Sequence, residues 1–233
     1  MNTDYLKRSP LKQFASLRPY TVIVEGNIGC GKTTFLNYFQ QFDDVNVLAE
    51  PVNKWRNCNG YNLLDKMYSD PKKWSFTFQS YVQLTILQHH TMKTGHPIKL
   101  MERSIYSARH CFVEQMARNG SIERASVSVM DEWFKWAKEN CDLSVDLIVY
   151  LKTTPETAYQ RMLARNRPEE QYVPLEYFQD IHNLHEEWLL QKRFECPAPV
   201  LIIDANLDKS GIMEEYSKCK AQIFTERELK VAL

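Results

Sequence analysis

A chain of 233 residues, 44% of them hydrophobic and 25% charged, has room for one large domain with a substantial core, or for two small ones, and has the usual balance of a soluble globular protein. Lysine plus arginine and aspartate plus glutamate both number 29, so the net charge is zero, which argues against a dedicated nucleic-acid partner while leaving room for a local basic site for a small polyphosphate. No apolar run approaches the roughly eighteen residues that a membrane span needs, so no membrane partner is expected either.

Residues 1–19 carry Lys7, Arg8, Lys12 and Arg18 against Asp4 alone. They read either as a basic, acid-poor mitochondrial presequence or as a flexible basic tail, which leaves an intracellular protein cytoplasmic or mitochondrial. Tyr20–Val24 is rich in β-branched residues and reads as a buried strand. Gly26-Asn27-Ile28-Gly29-Cys30-Gly31-Lys32-Thr33-Thr34 follows, fitting G-x-x-x-x-G-K-[ST] between that strand and a helix over Lys32–Phe42. Glycines at this spacing let successive backbone N–H groups turn around phosphate oxygens, and the helix N-terminus adds its positive dipole end. Lys32 can then reach the β- and γ-phosphates of ATP, and the Thr33 hydroxyl can ligate Mg²⁺.

The next strand, Val45–Ala49, runs into Glu50-Pro51-Val52, where a carboxylate can act as general base on an attacking hydroxyl. Tyr61–Tyr68 reads as a short helix stopped by Ser69-Asp70-Pro71. A long helix from Lys72 to about Thr91 puts Gln79, Val82, Gln83 and Ile86 on one face. The Gln79 amide can pair with a base edge, and Trp55, Tyr68, Phe112 and Met116 can wall a ring. Strand Ile98–Met101 ends in Glu102-Arg103-Ser104. There Glu102 can support Mg²⁺ and Arg103 can neutralise phosphoryl charge, with Ser104 capping a helix to Arg118 that stops at Asn119-Gly120. Helix Ser121–Asn140, strand Val145–Leu151 and a helix from Thr154-Pro155-Glu156 to about Arg165 come next. Arg161, Arg165 and Arg167 cluster there and suit an arginine lid over a triphosphate. A helix over Pro174–Phe194, a strand over Val200–Ile203 and a helix over about Ser210–Thr225 complete the chain.

Five apolar runs alternating with helices predict an α/β fold: a five-stranded parallel sheet with helices on both faces, ligands binding at the carboxyl ends of its strands. One domain is expected over residues 20–233, including a lid around 161–171. The six cysteines lack any C-x-x-C pair and read as reduced thiols. Each constellation also has a bland alternative: a strand-end carboxylate in water, a surface ion pair, a solvated arginine face, core aromatics.

The ordered set Gly26–Thr34, Glu50-Pro51-Val52-Asn53-Lys54-Trp55-Arg56, Gln79-Ser80-Tyr81, Met101-Glu102-Arg103-Ser104-Ile105, Tyr106-Ser107-Ala108-Arg109 and Arg165-Asn166-Arg167-Pro168-Glu169-Glu170 resembles the deoxyribonucleoside kinase family. Within it, the set is most similar to the branch of mitochondrial thymidine kinases and insect deoxynucleoside kinases. Val145–Tyr159 and Pro174–Leu190 extend the resemblance, which runs from about Pro19 to Asp204 and implies that the α/β sheet is a P-loop kinase fold.

The resemblance implies Glu50 as base on the nucleoside 5′-hydroxyl with Arg103 beside it, and Glu102 with Thr33 at Mg²⁺. It implies Gln79 on the base edge, Phe112 stacked on the base near Trp55, and Tyr68 with Glu170 on the sugar 3′-hydroxyl. Val82, Ile86, Ala108 and Met116 would line the base pocket, and Arg165 and Arg167 would belong to the lid. Val82 and Ala108 are small and uncharged, as in the thymidine-accepting branch. Ile86 stands where methionine is expected, and its stiffer branched chain suits pyrimidines over purines. Cys30 stands where serine is commoner. A homodimer formed through the helices Ser104–Arg118 and Ser121–Asn140 is implied too. The implied reaction is transfer of the ATP γ-phosphoryl group to thymidine or deoxycytidine in nucleotide salvage. A thymidylate-type monophosphate kinase and a P-loop nucleotide switch are the alternatives.

Overall fold

The computed structural model describes residues 18–232. The predicted tail therefore lies outside them except for Arg18 and Pro19, and Arg18 forms a bidentate ion pair with Asp146 at 2.7 and 2.8 Å.

Five parallel strands pair in the order β2-β3-β1-β4-β5, with β1 Tyr20–Glu25, β2 Val45–Leu48, β3 Ile98–Glu102, β4 Leu147–Lys152 and β5 Val200–Asp204. Every residue of β1 and β3 is buried, as a sheet covered on both faces requires. Alternation along β1 divides the core. Val22 and Val24 pack on one face with Phe35, Leu36 and Phe39 of α1 (Lys32–Phe39) and with Tyr216, Cys219 and Ile223 of α10 (Lys209–Ala232). Ile23 faces the other way, into a larger core that includes Phe78, Val82 and Ile86. That core is built by α3 (Leu63–Ser69), α4 (Pro71–Thr91), α7 (Arg124–Asn140) and α9 (Leu175–Leu189), among others.

Local chemistry sets the helix ends. Asp70 caps α4, with proline at its start. Thr154 caps α8 (Pro155–Arg165), which Asn166 closes in the left-handed conformation. α1 stops at Phe39 rather than Phe42. The predicted Pro174–Phe194 helix ends at Leu189, where Lys192 takes a positive φ of 53°. The last helix runs on to Ala232, and the helix predicted from Ser121 begins at Arg124. A short helix, α2 (Val52–Arg56), stands where none was predicted.

The segment predicted as one helix from Ser104 to Arg118 is composite: α5 (Ile105–Ser107), a π-helical turn over Ala108–Val113, then α6 (Glu114–Arg118). Only Arg118 in it is exposed, so most of it serves the core and it offers little outer surface. α7 is different. Met130, Phe134 and Ala137 point inward, while Val129, Trp133 and Trp136 form an exposed apolar row at the same helical spacing.

Candidate active site

β1 and β3 are neighbours whose onward connections leave in opposite directions, so a crevice opens at their carboxyl ends. β1 delivers the glycine loop. Gly26, Gly29 and Gly31 all take positive φ, and a Cβ on Gly29 would stand 2.3 Å from the Ala158 carbonyl oxygen of α8, a fit only glycine allows. Asn27 donates to the Phe178 carbonyl at 2.9 Å, fixing the loop to α9. The Lys32 ammonium donates to the carbonyl oxygens of Asn27 at 2.7 Å and Gly26 at 3.2 Å, inside the loop. Lys32 is therefore held at the loop before any phosphate charge meets it.

β2 and β3 supply the charged centre. Arg103 sits at φ 63° and is almost wholly buried. Its Nε donates to Glu50 Oε1 at 2.7 Å and an Nη to the Gly26 carbonyl at 3.2 Å, while its guanidinium lies 4.4 Å from the Phe112 ring centroid. One residue thus links the phosphate loop, the candidate base and the candidate stacking ring. Burial works against the Arg103 charge, but Glu50, Glu25 and Glu102 around it keep the guanidinium protonated. Glu102 Oε1 lies 3.4 Å from the Thr33 hydroxyl. Burial, and next the Glu50 charge, push the Glu102 carboxyl above its ordinary range. Paired hydroxyl and carboxylate oxygens suit a hard cation. Among the described residues no group of three or more His, Cys, Asp or Glu is placed to hold a metal ion, so such a cation would take its other ligands from phosphate and water.

Two cavities meet here. The first, of about 190 Å³, is lined by all eleven expected substrate residues: Glu50, Trp55, Tyr68, Gln79, Val82, Ile86, Arg103, Ala108, Phe112, Met116 and Glu170. The second, of about 530 Å³, is lined by Gly29–Thr34, Arg161, Arg165 and Arg167. Gly29, Lys32, Thr33, Glu102, Arg165 and Arg167 line both. Ile28 faces the first cavity instead of the second, and Gly26 and Asn27 support the loop from beneath without lining either.

The segment expected to form a lid is pinned from two sides. Arg165 and Arg167 donate to the two oxygens of Glu170 at 2.6 and 3.2 Å. Arg56 of α2 holds Glu169 bidentately at 2.8 Å, which keeps the Glu169 carboxyl near pH 2. Arg161 instead donates to the Ala205 carbonyl at 2.8 Å, tying α8 to the segment after β5.

Sequence reasoning missed several residues of the site. Glu25, fully buried at the end of β1, accepts from the Ser104 hydroxyl at 2.6 Å, and burial lifts its pKa to about 7 against that bond and the Arg103 charge. Tyr177 lines the first cavity beside Tyr68, and burial raises both phenols. Leu207, Ile212 and Tyr216 line the second, although the segment after Asp204 has no readable motif. The one available signal for Glu25 and Leu207 was position, at or just after a strand's carboxyl end.

A family model described as deoxynucleoside kinase matches residues 22–227. The chain is 47% identical over 222 residues to human mitochondrial thymidine kinase 2, covering 95% of this chain and 84% of that protein. It is 34% identical to human deoxycytidine kinase over 218 residues, covering 80% and 84%. To a probable deoxycytidine kinase of fowlpox virus it is 36% identical over 190 residues, covering 80% and 79%.

Proposed function

We propose that this chain, which belongs to the deoxynucleoside kinase family and is thereby an ATP-dependent phosphotransferase, moves the γ-phosphoryl group of ATP to the 5′-hydroxyl of a pyrimidine deoxyribonucleoside. Thymidine and deoxycytidine are the preferred acceptors, in nucleotide salvage. The observation that carries the reading is the seam between the two cavities. Lys32, Thr33, Glu102, Arg165 and Arg167 belong to both, while Glu50 and Arg103 stand on the acceptor side alone. That arrangement suits an in-line transfer between a triphosphate and a hydroxyl.

In this reading the glycine loop takes the triphosphate and Gln79 reads the base edge, with Val82, Ile86, Ala108 and Met116 around the ring. Phe112 stacks on the base, and Tyr68 with Glu170 holds the 3′-hydroxyl. Glu50 accepts the 5′-hydroxyl proton, and its ion pair with Arg103 orients the carboxylate. Lys32, Arg103, Arg165 and Arg167 meet the charge that spreads over the transferred oxygens. Thr33 and Glu102 would hold Mg²⁺, which supplies charge neutralisation on the phosphates when bound. The exposed row Val129, Trp133 and Trp136 supports a homodimer joined through α7. Six unpaired cysteines fit a reducing compartment, cytosolic or mitochondrial. No helix among the described residues is long and apolar enough to cross a membrane.

The test is ATP-dependent phosphorylation of thymidine, deoxycytidine, deoxyadenosine and deoxyguanosine by the purified chain. Turnover of the two pyrimidines above the purines is expected. ATP hydrolysis with no nucleoside product would overturn the acceptor assignment.

A further inference from the structure

Ala108, Phe112 and Met116 line the acceptor cavity at intervals of four residues. On a regular α-helix, eight residues accumulate about 80° of drift, which would carry Met116 off the face that Ala108 presents. The π turn over Ala108–Val113 removes that drift, because each residue of an i→i+5 turn rotates less about the axis. Three side chains thus stand in one row along the cavity, a row that exists only while the turn stays π.

A π turn is rarely self-sustaining, and the outer side of this one carries a clasp. The Glu114 N–H donates to the Arg109 carbonyl, which is the i→i+5 bond itself. The same two residues are joined again through their side chains, with Arg109 Nη1 donating to Glu114 Oε2 at 3.1 Å. Residues five apart stand about 140° apart on an α-helix, so this ion pair belongs to the π form. The other edge of the Arg109 guanidinium grips the Asp131 carboxylate of α7 through Nε and Nη2. Glu114 is steadied in turn by Arg118, which holds Glu187 of α9. Arg109 itself lines neither cavity.

We propose that Arg109 is a positioning residue for acceptor specificity, its clasp on Asp131 and Glu114 keeping Ala108–Val113 in the π form that aligns Ala108, Phe112 and Met116 on the base. The inference rests on the nucleoside kinase reading above. A planar two-edged fork is what the site uses, so lysine would supply the charge without the geometry.

The experiment is steady-state kinetics with thymidine, deoxyadenosine and ATP for the wild type, Arg109→Met, Arg109→Lys and Asp131→Asn, with a melting curve for each. Arg109→Met is expected to raise the thymidine KM roughly tenfold and to shrink the thymidine-over-deoxyadenosine ratio of kcat/KM by a similar factor, leaving the KM for ATP within about twofold. Arg109→Lys should fall between it and the wild type. Asp131→Asn, which loses charge at a half-exposed partner, should move the same two quantities roughly threefold and decides the matter if Arg109→Met does not fold. An unchanged thymidine KM and selectivity in the folded variants overturns the proposal, as does a uniform loss across thymidine, deoxyadenosine and ATP, which marks mere destabilisation. A wild type that phosphorylates no nucleoside sinks the underlying reading instead, and this proposal with it.

Discussion

Replacing Glu50 with glutamine keeps the side chain's volume and its acceptor oxygen for Arg103, and removes the charge and the basicity. The structure separates the two consequences. Arg103 keeps its bond to the Gly26 carbonyl and its place over the Phe112 ring, with Glu102 still beside it and Glu25 free to ionise there once the pH passes about 7. The loss of stability should therefore stay near 1 kcal/mol, below the about 3–5 kcal/mol expected when a buried charge loses its sole partner. The chemical step has no such reserve. Glu102, a neighbouring carboxylate, is engaged with the Glu50 backbone N–H at 3.3 Å and lies beside Thr33. General-base catalysis contributes about 10²–10⁴ in rate, or roughly 3–5 kcal/mol of barrier. The expectation is a kcat for thymidine reduced at least a hundredfold, a thymidine KM within about threefold of wild type, and a melting temperature lowered by a few degrees. A coupled ADP assay across thymidine concentrations, with a thermal melt, measures all three. A kcat reduced less than about tenfold would refute the assignment of Glu50 as base. A collapse of folding would refute the argument that Arg103 keeps enough counter-charge.

Gly29→Ala should raise the KM for ATP by an order of magnitude or more and lower the melting temperature, since its Cβ would meet the Ala158 carbonyl at 2.3 Å on a backbone at φ 75°. Nucleotide titration checks this, and unchanged affinity contradicts it. Burial holds Glu25 protonated up to about pH 7, whereas in the unfolded chain it ionises near 4.5. The native state therefore loses stability from this group as pH rises from about 4.5 through 7. Relative to wild type, Glu25→Gln should gain stability by up to about 3 kcal/mol between pH 4.5 and pH 8 in urea titrations. A difference that does not change with pH would show that Glu25 is ionised throughout. Trp133→Glu with Trp136→Glu should convert a dimer into a monomer by light scattering, and a wild type that is already monomeric refutes the role given to α7.

How much of this could be read from the sequence depended on whether a local rule had a unique outcome. The glycine loop between a β-branched run and a helix did, and so did the five strands, whose ends fell within one or two residues. The start of α8 at Thr154-Pro155 was written in capping chemistry. α2 was invisible because five residues cannot display a helical period, and the end of α9 because Lys192 makes a left-handed turn without glycine. The π turn left no trace, since no residue type marks the change from i→i+4 to i→i+5 bonding. Among the residues around the two cavities, those within a motif could be placed there from the sequence. Glu25, Tyr177 and Tyr216 could not, because their importance lies in which distant element they are packed against.

The sheet places its earliest strand at the centre and draws the donor wall from α10. During synthesis β1 emerges with its glycine loop long before β3 and β4 exist to flank it, and Tyr216 arrives only after all five strands have been made. Parallel pairing at such separation makes loop closure the slow part of folding. The nascent chain thus carries its phosphate loop on an unpaired strand until β3 is made, and on a strand paired along one edge only until β4 follows. The two cavities are completed in order, the first by Tyr177 of α9 and the second only when α10 brings Ile212 and Tyr216.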